Sequence, residues 1–491
     1  MKKHSVLISL LSLVAIAVAV RWYLLPTHLF FGPEQGRDFL VIEKIVRSHT
    51  LTLIGSKTDV DGVFHGPIFY YLSAIPFLLS GGDPLFVSFF LIVLHALGIV
   101  AIYFLGTELD RQRTGLIAAA LYALSFHAIE YARWLSNPGL TLPLSALFFL
   151  FLVRSKKRST WWFVPAAIAG AWLGQAEFIN FVFVTPILIL SWALSYKTVG
   201  FTVSSLVSAG TFAFFSGVNY LLFDLRHDHL ITNGIMALLS GKTGDKVTLF
   251  KSVTESTSVF GTLASRTFGV EYSVFPLLIG VLILIGAVLL SVKKQQHALS
   301  LWLFVPIIVL AVLRHGILTQ IYGFCVVGMI LSMAYLISEY AFRKTALGIG
   351  VLLFFVVTNL TAWQKNMPGN NVFFQSTQPG MRYSDMKKSV DMSYTWAGKQ
   401  PFSIQAYTIP YFWQDAWIYL FSWYGKKAYG YAPVSEKAPK LFVIMQKDNS
   451  SPGYQDAWYK NTVSTWGEKG RSATYGEITV EERIVPLSKR L

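Results

Sequence analysis

Apolar residues in this chain gather into blocks of about 15 to 22, divided by short polar connections; at about 1.5 Å of rise per residue, such blocks make helices that cross a hydrocarbon core. Strands do not need that length. The blocks fall at 5–25, 85–105, 115–131, 140–153, 161–173, 178–194, 201–223, 274–292, 298–313, 321–337 and 346–363, which predicts about eleven transmembrane helices. Lys and Arg cluster in every second connection: Arg111 and Arg113, then Arg154, Lys156, Lys157 and Arg158, then Lys197, then Lys293 and Lys294, then Arg343 and Lys344. This alternation places the N-terminus in the cytoplasm and, with an odd number of spans, everything after Trp363 outside. The apolar stretch 67–80 would invert all later loops if it crossed, so it is expected to be re-entrant or interfacial. The block at 5–25 has signal-peptide features but is long enough to span, and is expected to stay as an anchor.

The connections are unequal. Those with basic clusters are short, whereas 26–66 and 224–272 are long outer loops, of the kind that carries function. The tail 364–491 mixes charge, Gly, Pro and aromatic residues, with strand-like runs at 402–408, 441–446 and 478–485 and a helix expected around 413–423. The expected fold is an α-helical polytopic membrane protein, 1–363, followed by an extracytoplasmic α/β domain, 364–491, in a plasma or inner membrane.

Composition agrees with a bilayer as solvent. Of 491 residues, 54% are hydrophobic and 14% charged, against about a quarter charged in soluble domains. The net charge of +15 lies mostly in the short connections, so topology accounts for it and no nucleic-acid partner is expected. The single cysteine, Cys325, excludes an intrachain disulfide and a cysteine-based metal site.

Candidate chemistry sits on the outer face. The first outer loop contains Pro33-Glu34-Gln35-Gly36-Arg37-Asp38; with Pro33 opening a helix, Glu34 and Asp38 share a face, and Arg37 lies beside them. Such a cluster serves as a general base or a metal site, and equally as an acidic helix start. The loop ends His65-Gly66-Pro67-Ile68-Phe69-Tyr70-Tyr71, where His65 binds phosphate or caps a turn. A short connection, Glu130-Tyr131-Ala132-Arg133-Trp134-Leu135-Ser136-Asn137-Pro138, sets an acid, a base and an amide between two spans. Asp224-Leu225-Arg226-His227-Asp228-His229 and Arg314-His315 follow directly after spans; Arg226, His227, Arg314 and His315 suit a lipid phosphate, while the His and Asp groups of 224–229 are a weak metal candidate. Apart from these, the apolar blocks contain almost no charge.

On these segments the chain resembles the GT-C membrane glycosyltransferases, in particular the protein O-mannosyltransferase and aminoarabinose-transferase-like group, glycosyltransferase family 39-like. His65-Gly66-Pro67-Ile68-Phe69-Tyr70-Tyr71 is similar to the family's G-P-L-Y-Y-Y stretch, and Tyr131-Ala132-Arg133-Trp134 with Asn137-Pro138 is similar to its S-R-x-W-N-P connection. The resemblance implies an inverting transfer from a polyprenyl-phosphate sugar to a lipid, protein or glycan acceptor. A first-loop carboxylate, Glu34 or Asp38, would be the base. Arg37, His65, Tyr70, Glu130, Arg133 and Asn137 would surround substrate or donor phosphate. Gln35 stands where the family has a second acid, which leaves the choice between Glu34 and Asp38 open. The sugar, the acceptor and any divalent metal are not specified by these residues. The rival reading is a transporter or flippase, which would place ionisable groups at the midplane of broken helices and repeat one half in the other.

Overall fold

The computed structural model describes residues 3–199, 202–240, 247–270, 276–313, 319–366, 380–436 and 438–486. The chain divides into two compact units. The first comprises Met1–Trp22, Leu51–Leu72 and Phe89–Lys365; the second comprises Tyr23–Thr50, Ser73–Ser88 and Asn366–Leu491.

The first unit is helical. Its principal helices are α1 (Lys3–Trp22), then, beyond α2 (Pro33–Ser48) of the second unit and α3 (Ile68–Ser80), whose residues are divided between the two units, α4 (Pro84–Leu109, in this unit from Phe89), α5 (Gln112–Leu124), α6 (Phe126–Arg133), α7 (Thr141–Lys157) and α8 (Phe163–Ala176). There follow α9 (Ile179–Val199), α10 (Val203–Arg226), α11 (Leu230–Ser240), α12 (Leu249–Thr267), α13 (Pro276–Lys294), α14 (His297–Leu313), α15 (Val326–Glu339) and α16 (Thr345–Asn366). The apolar blocks of the sequence fall mainly on these helices, the block 115–131 on two of them. Among the described residues, seven helical stretches, on α1, α4, α7, α10, α13, α15 and α16, are long and apolar enough to cross a membrane, and α5 with α6 makes an eighth, bent by 60°. The remaining predicted spans fall on α8, α9 and α14, whose apolar parts are shorter. The helix of 68–80 has 13 residues, about 20 Å, and is among the shorter apolar helices.

The basic connections meet at one end of this unit. Lys294 Nζ lies 3.0 Å from Asp110 Oδ1, Arg154 Nε lies 3.6 Å from Glu108 Oε1, and Arg111 pairs with Glu339. Four connections, far apart in sequence, are thus tied into one ionic layer, as the alternation of Lys and Arg requires of loops on the same side.

Two expectations need correction. The loop at 224–272 contains α11 and α12, and α12 packs against α13 and α14. Its Ser and Thr residues lowered the apolar signal, yet Ser252 and Ser256 are buried and bond to the backbone of α14, where the carbonyls of Leu310 and Ile307 accept. The apolar blocks also bury more charge than their sequence suggested: Arg21, His95, His127 and Glu130 are all inside.

The second unit is built on a four-stranded sheet of β1 (Phe402–Tyr407), β2 (Lys440–Gln446), β3 (Glu468–Tyr475) and β4 (Ile478–Ile484), in the order β1-β2-β4-β3. β1 and β2 are parallel; β4 is antiparallel to both its neighbours. The strands expected from sequence are β1, β2 and β4; β3 is an exposed, polar edge strand with no apolar alternation to reveal it. Helix α17 (Tyr383–Ala397) packs on β3 and β4, and α18 (Asp415–Leu420) lies against α2.

Candidate functional site

The membrane unit and the second unit each hold part of the sequence-predicted chemistry. In the membrane unit the centre is the break between α5 and α6. A bend inside a membrane frees backbone groups that only protein can satisfy. Here Phe126 N–H donates to Asn359 Oδ1 at 2.8 Å, and Ser125 Oγ both accepts from Ala128 N–H and donates to the Thr267 carbonyl at 2.8 Å. The last carbonyls of α5 are met by Arg21, whose guanidinium donates to the Ala123 and Tyr122 carbonyls at 2.8 and 3.1 Å. A cation at a helix C-terminus also complements its dipole. His95 adds a second tie: Nδ1 lies 3.0 Å from Tyr122 Oη and Nε2 lies 2.5 Å from the Gly139 carbonyl oxygen.

Held in this way, the eight-residue α6 carries Glu130 and Arg133, both buried. Glu130 is committed to two partners. Arg266 Nε and Nη2 donate to its Oε2 and Oε1 at 2.9 and 2.6 Å, and His127 Nδ1 lies 2.9 Å from Oε2. Such a bidentate pair offsets part of the desolvation of both ions. His127 Nε2 is buried with no hydrogen-bond partner among the described residues. Asn137, in the turn after α6, donates from Nδ2 to Ser56 Oγ at 2.8 Å, and its Oδ1 has no partner among the described residues. These groups lie at the far ends of α5 and α7 from the ionic layer, about 20 Å of helix away.

His65 approaches Glu177 at 3.8 Å and accepts from Phe178 N–H at 3.4 Å, so it ties the first loop to the end of α8. Next to it, Gly66 N–H donates to the Gln175 carbonyl at 2.7 Å, and a Cβ at Gly66 would sit 2.5 Å from the Gln175 side chain. Only glycine permits that approach. Tyr70 is buried beside Phe69. Arg226 and His227 are exposed at the end of α10, where the His227 ring stacks on Phe223 at 3.9 Å. Arg314 and His315 lie outside the described residues.

The metal candidate at 224–229 is otherwise employed. Asp224 Oδ1 accepts from Ile231 and Thr232 N–H at 2.7 and 3.1 Å, and Oδ2 from Thr232 Oγ1 at 2.6 Å, so the carboxylate caps α11. Among the described residues no group of three or more His, Cys, Asp or Glu side chains is placed to hold a metal ion.

In the second unit α2 begins as the sequence implied, with Pro33 in its first turn. Gln35, in the place of the expected second acid, accepts from Gly32 N–H at 3.0 Å and caps the helix. Gly36 lets α2 touch α18: a Cβ there would lie 2.1 Å from Ala416 N. The two acids on this face have different surroundings. Glu34 is exposed, and Asp38 is fully buried with Arg37 Nε and Nη2 3.0 and 2.9 Å from Oδ1.

Sequence reasoning missed Arg266, His127, Glu177, Arg21 and His95. His127 had a signal, an i, i+3 spacing to Glu130 on a helix, and Arg266 had none, because its partner lies 136 residues away.

Comparison with known proteins now bears on the whole arrangement. Residues 64–220 match the family model described as dolichyl-phosphate-mannose-protein mannosyltransferase. In structure, the chain is similar to ArnT from Cupriavidus metallidurans in the apo state, with a TM-score of 0.59 at 10% identity over 96% of this chain and 97% of that one. The same protein bound to undecaprenyl phosphate gives 0.56 at 9% identity, with the same coverage. The chain thus shares the fold of ArnT over nearly its whole length. An oligosaccharyltransferase from Archaeoglobus fulgidus overlaps 97% of this chain and 74% of its own, at 14% identity and a TM-score of 0.48. No curated protein matches the sequence. The residues matched by the family model include His65, Tyr70, Glu130, Arg133 and Asn137 and begin after Glu34 and Asp38.

Proposed function

We propose that this chain is a membrane glycosyltransferase of the GT-C type, which moves a sugar from a polyprenyl-phosphate donor to an acceptor on the extracytoplasmic face, with inversion at the anomeric carbon. The observation that carries this reading is the short limb of the broken helix, where Arg133, Glu130 and His127 are buried together within eight residues. Charge at such a place is costly and is retained where it serves function. The unspent atoms His127 Nε2 and Asn137 Oδ1 require polar partners when buried, and a phosphate or sugar headgroup supplies them. That ArnT has been seen with undecaprenyl phosphate supports a polyprenyl phosphate as the lipid.

In this reading Arg133 meets the lipid phosphate that departs, and His65, Asn137 and Tyr70 shape its surroundings. Glu130, with both oxygens engaged, orients Arg266 and His127 and is not the base. The base is a first-loop carboxylate, Glu34 or Asp38, which takes the acceptor's proton as the acceptor oxygen attacks the anomeric carbon and the C–O bond to phosphate breaks. Phosphate is already a good leaving group, so most of the acceleration comes from positioning and placed charge. Arg37 is ion-paired with the buried Asp38, while the exposure of Glu34 leaves it open to an acceptor. The N-terminus is cytoplasmic, and the acceptor is a lipid, protein or glycan outside.

The test uses purified protein with a panel of polyprenyl-phosphate sugars. Loss of the base lowers turnover by about 10²–10⁴-fold, so Glu34→Gln or Asp38→Asn is expected to do so. Normal turnover by both variants removes the proposed base.

A further inference from the structure

At the basic end of the membrane unit, remote from Glu130, two cavities adjoin. One is a groove of about 370 Å³ among α8, α9 and α10, lined by Phe163, Ala167, Leu188, Ile189, Leu206 and Phe212 among others. It opens sideways, since Ile189 and Leu206 are exposed on its rim. At about twelve times the roughly 30 Å³ that a water molecule occupies in the liquid, it has the size of one hydrocarbon chain. The other is a small polar recess lined by Ser155, Lys156, Gln296 and His297, and Phe163 borders both. Thr160 and Ser204, bonded Oγ to Oγ1 at 2.8 Å, hold the mouths of α8 and α10 together beside the groove.

Charge separates this recess from its surroundings. Arg111, Arg154, Arg158 and Lys294 are each ion-paired with Glu108, Asp110 or Glu339. Lys156, one turn from those pairs, makes no hydrogen bond or ion pair among the described residues, and its amine stands exposed at the recess. The recess also contains the first turn of α14, whose leading N–H groups are unsatisfied by the helix itself and favour an anion. An apolar channel of chain length, entered past an unpaired cation and a helix start, matches one molecule with an anionic head and a hydrocarbon tail.

We propose that the two cavities form one site for an anionic glycerophospholipid of the surrounding leaflet, with its phosphate at Lys156 and His297 and one acyl chain along Phe163 into the groove. The site is independent of sugar transfer and lies at the end of the bundle away from the proposed chemistry. Its occupancy would close the seam among α8, α9 and α10.

Native mass spectrometry of the full chain, delipidated and incubated with phosphatidylglycerol or phosphatidylcholine, tests it. One phosphatidylglycerol is expected to stay on each chain in preference to phosphatidylcholine. Lys156→Gln should lower its retention about fivefold, the effect of one lysine at an anionic headgroup, and leave phosphatidylcholine unchanged. Ala209→Trp, which fills the groove from its exposed rim, should lower retention of both. Equal retention of the two lipids, or a Lys156→Gln variant that matches wild type, overturns the proposal. So does displacement of phosphatidylglycerol by equimolar polyprenyl phosphate, which would assign the site to the donor lipid.

Discussion

Single residues in this chain show how buried charge is made tolerable in a membrane. Glu130 is neutralised in place, by a bidentate guanidinium from Arg266 and by His127. Glu130→Gln leaves Arg266 buried without its counter-ion, a change that costs about 3–5 kcal/mol where such pairs have been broken. The variant is therefore expected to melt at a lower temperature than wild type, and Glu130→Gln with Arg266→Gln should melt above the single variant. A double variant no better than Glu130→Gln alone would show that the pair is not what offsets the charge. The second unit offers a titration. Burial raises the Asp448 carboxyl, but hydrogen bonds from Ser450, Ser451, Tyr407 and Tyr411 outweigh it and bring the group down to about 2. A depressed carboxyl stabilises the folded state above the ordinary carboxyl range, and that contribution is lost as pH falls through about 2. Denaturation of the full chain between pH 4 and pH 2, followed by tryptophan fluorescence, should be steeper in pH for wild type than for Asp448→Asn; identical slopes would contradict this.

At the scale of elements, the break between α5 and α6 is the feature on which the site depends. Arg21 comes from the end of α1 and bonds to two carbonyls 101 and 102 residues further on. Arg21→Met removes those donors from buried carbonyls, each worth about 1–3 kcal/mol when left unmet. It is expected to reduce transfer by variants otherwise intact at Glu34, Asp38 and Arg133, with the Michaelis constant for donor rising more than turnover falls, because α6 loses its anchor. An unchanged donor constant would show that α6 is held without it. The same elements explain what the sequence disclosed. Long apolar blocks such as 85–105 read directly as helices, because hydrophobicity is carried by each residue in turn. The bend at Ser125 was not legible, since the few polar residues of 115–131, Ser125, His127 and Glu130, include no Pro or Gly at the break; the bend is held by Asn359, Thr267 and Arg21 from elsewhere. Helix α12 was hidden for the opposite reason, a polar surface whose serines find partners only once α14 is beside them.

For the whole molecule, the sequence grouped the basic connections and left the partners of the buried charges unread. The basic connections were grouped from charge alone, and ion pairs between Arg111, Arg154, Lys294 and their acids place those connections at one end. The candidate site residues Glu130 and Arg133 lie near span ends, whereas Arg266 and His127, which engage Glu130, and Arg21, which ties the end of α5, carry no such positional signal. The orientation is open to a direct check in a Cys325→Ser background. A cysteine at Asp228 should react with a membrane-impermeant maleimide on intact cells, and one at Lys293 only after permeabilisation; the reverse pattern would invert the protein. The central claim, transfer from a lipid phosphate, is tested most directly by reconstituting the purified chain with a polyprenyl-phosphate sugar and an extract of cell-envelope acceptors. The account predicts one free polyprenyl phosphate for each sugar transferred, with the anomeric configuration inverted and turnover strongly reduced in Arg133→Ala. Donor that crosses the bilayer intact, with no free polyprenyl phosphate formed across a broad panel of sugars, would contradict it.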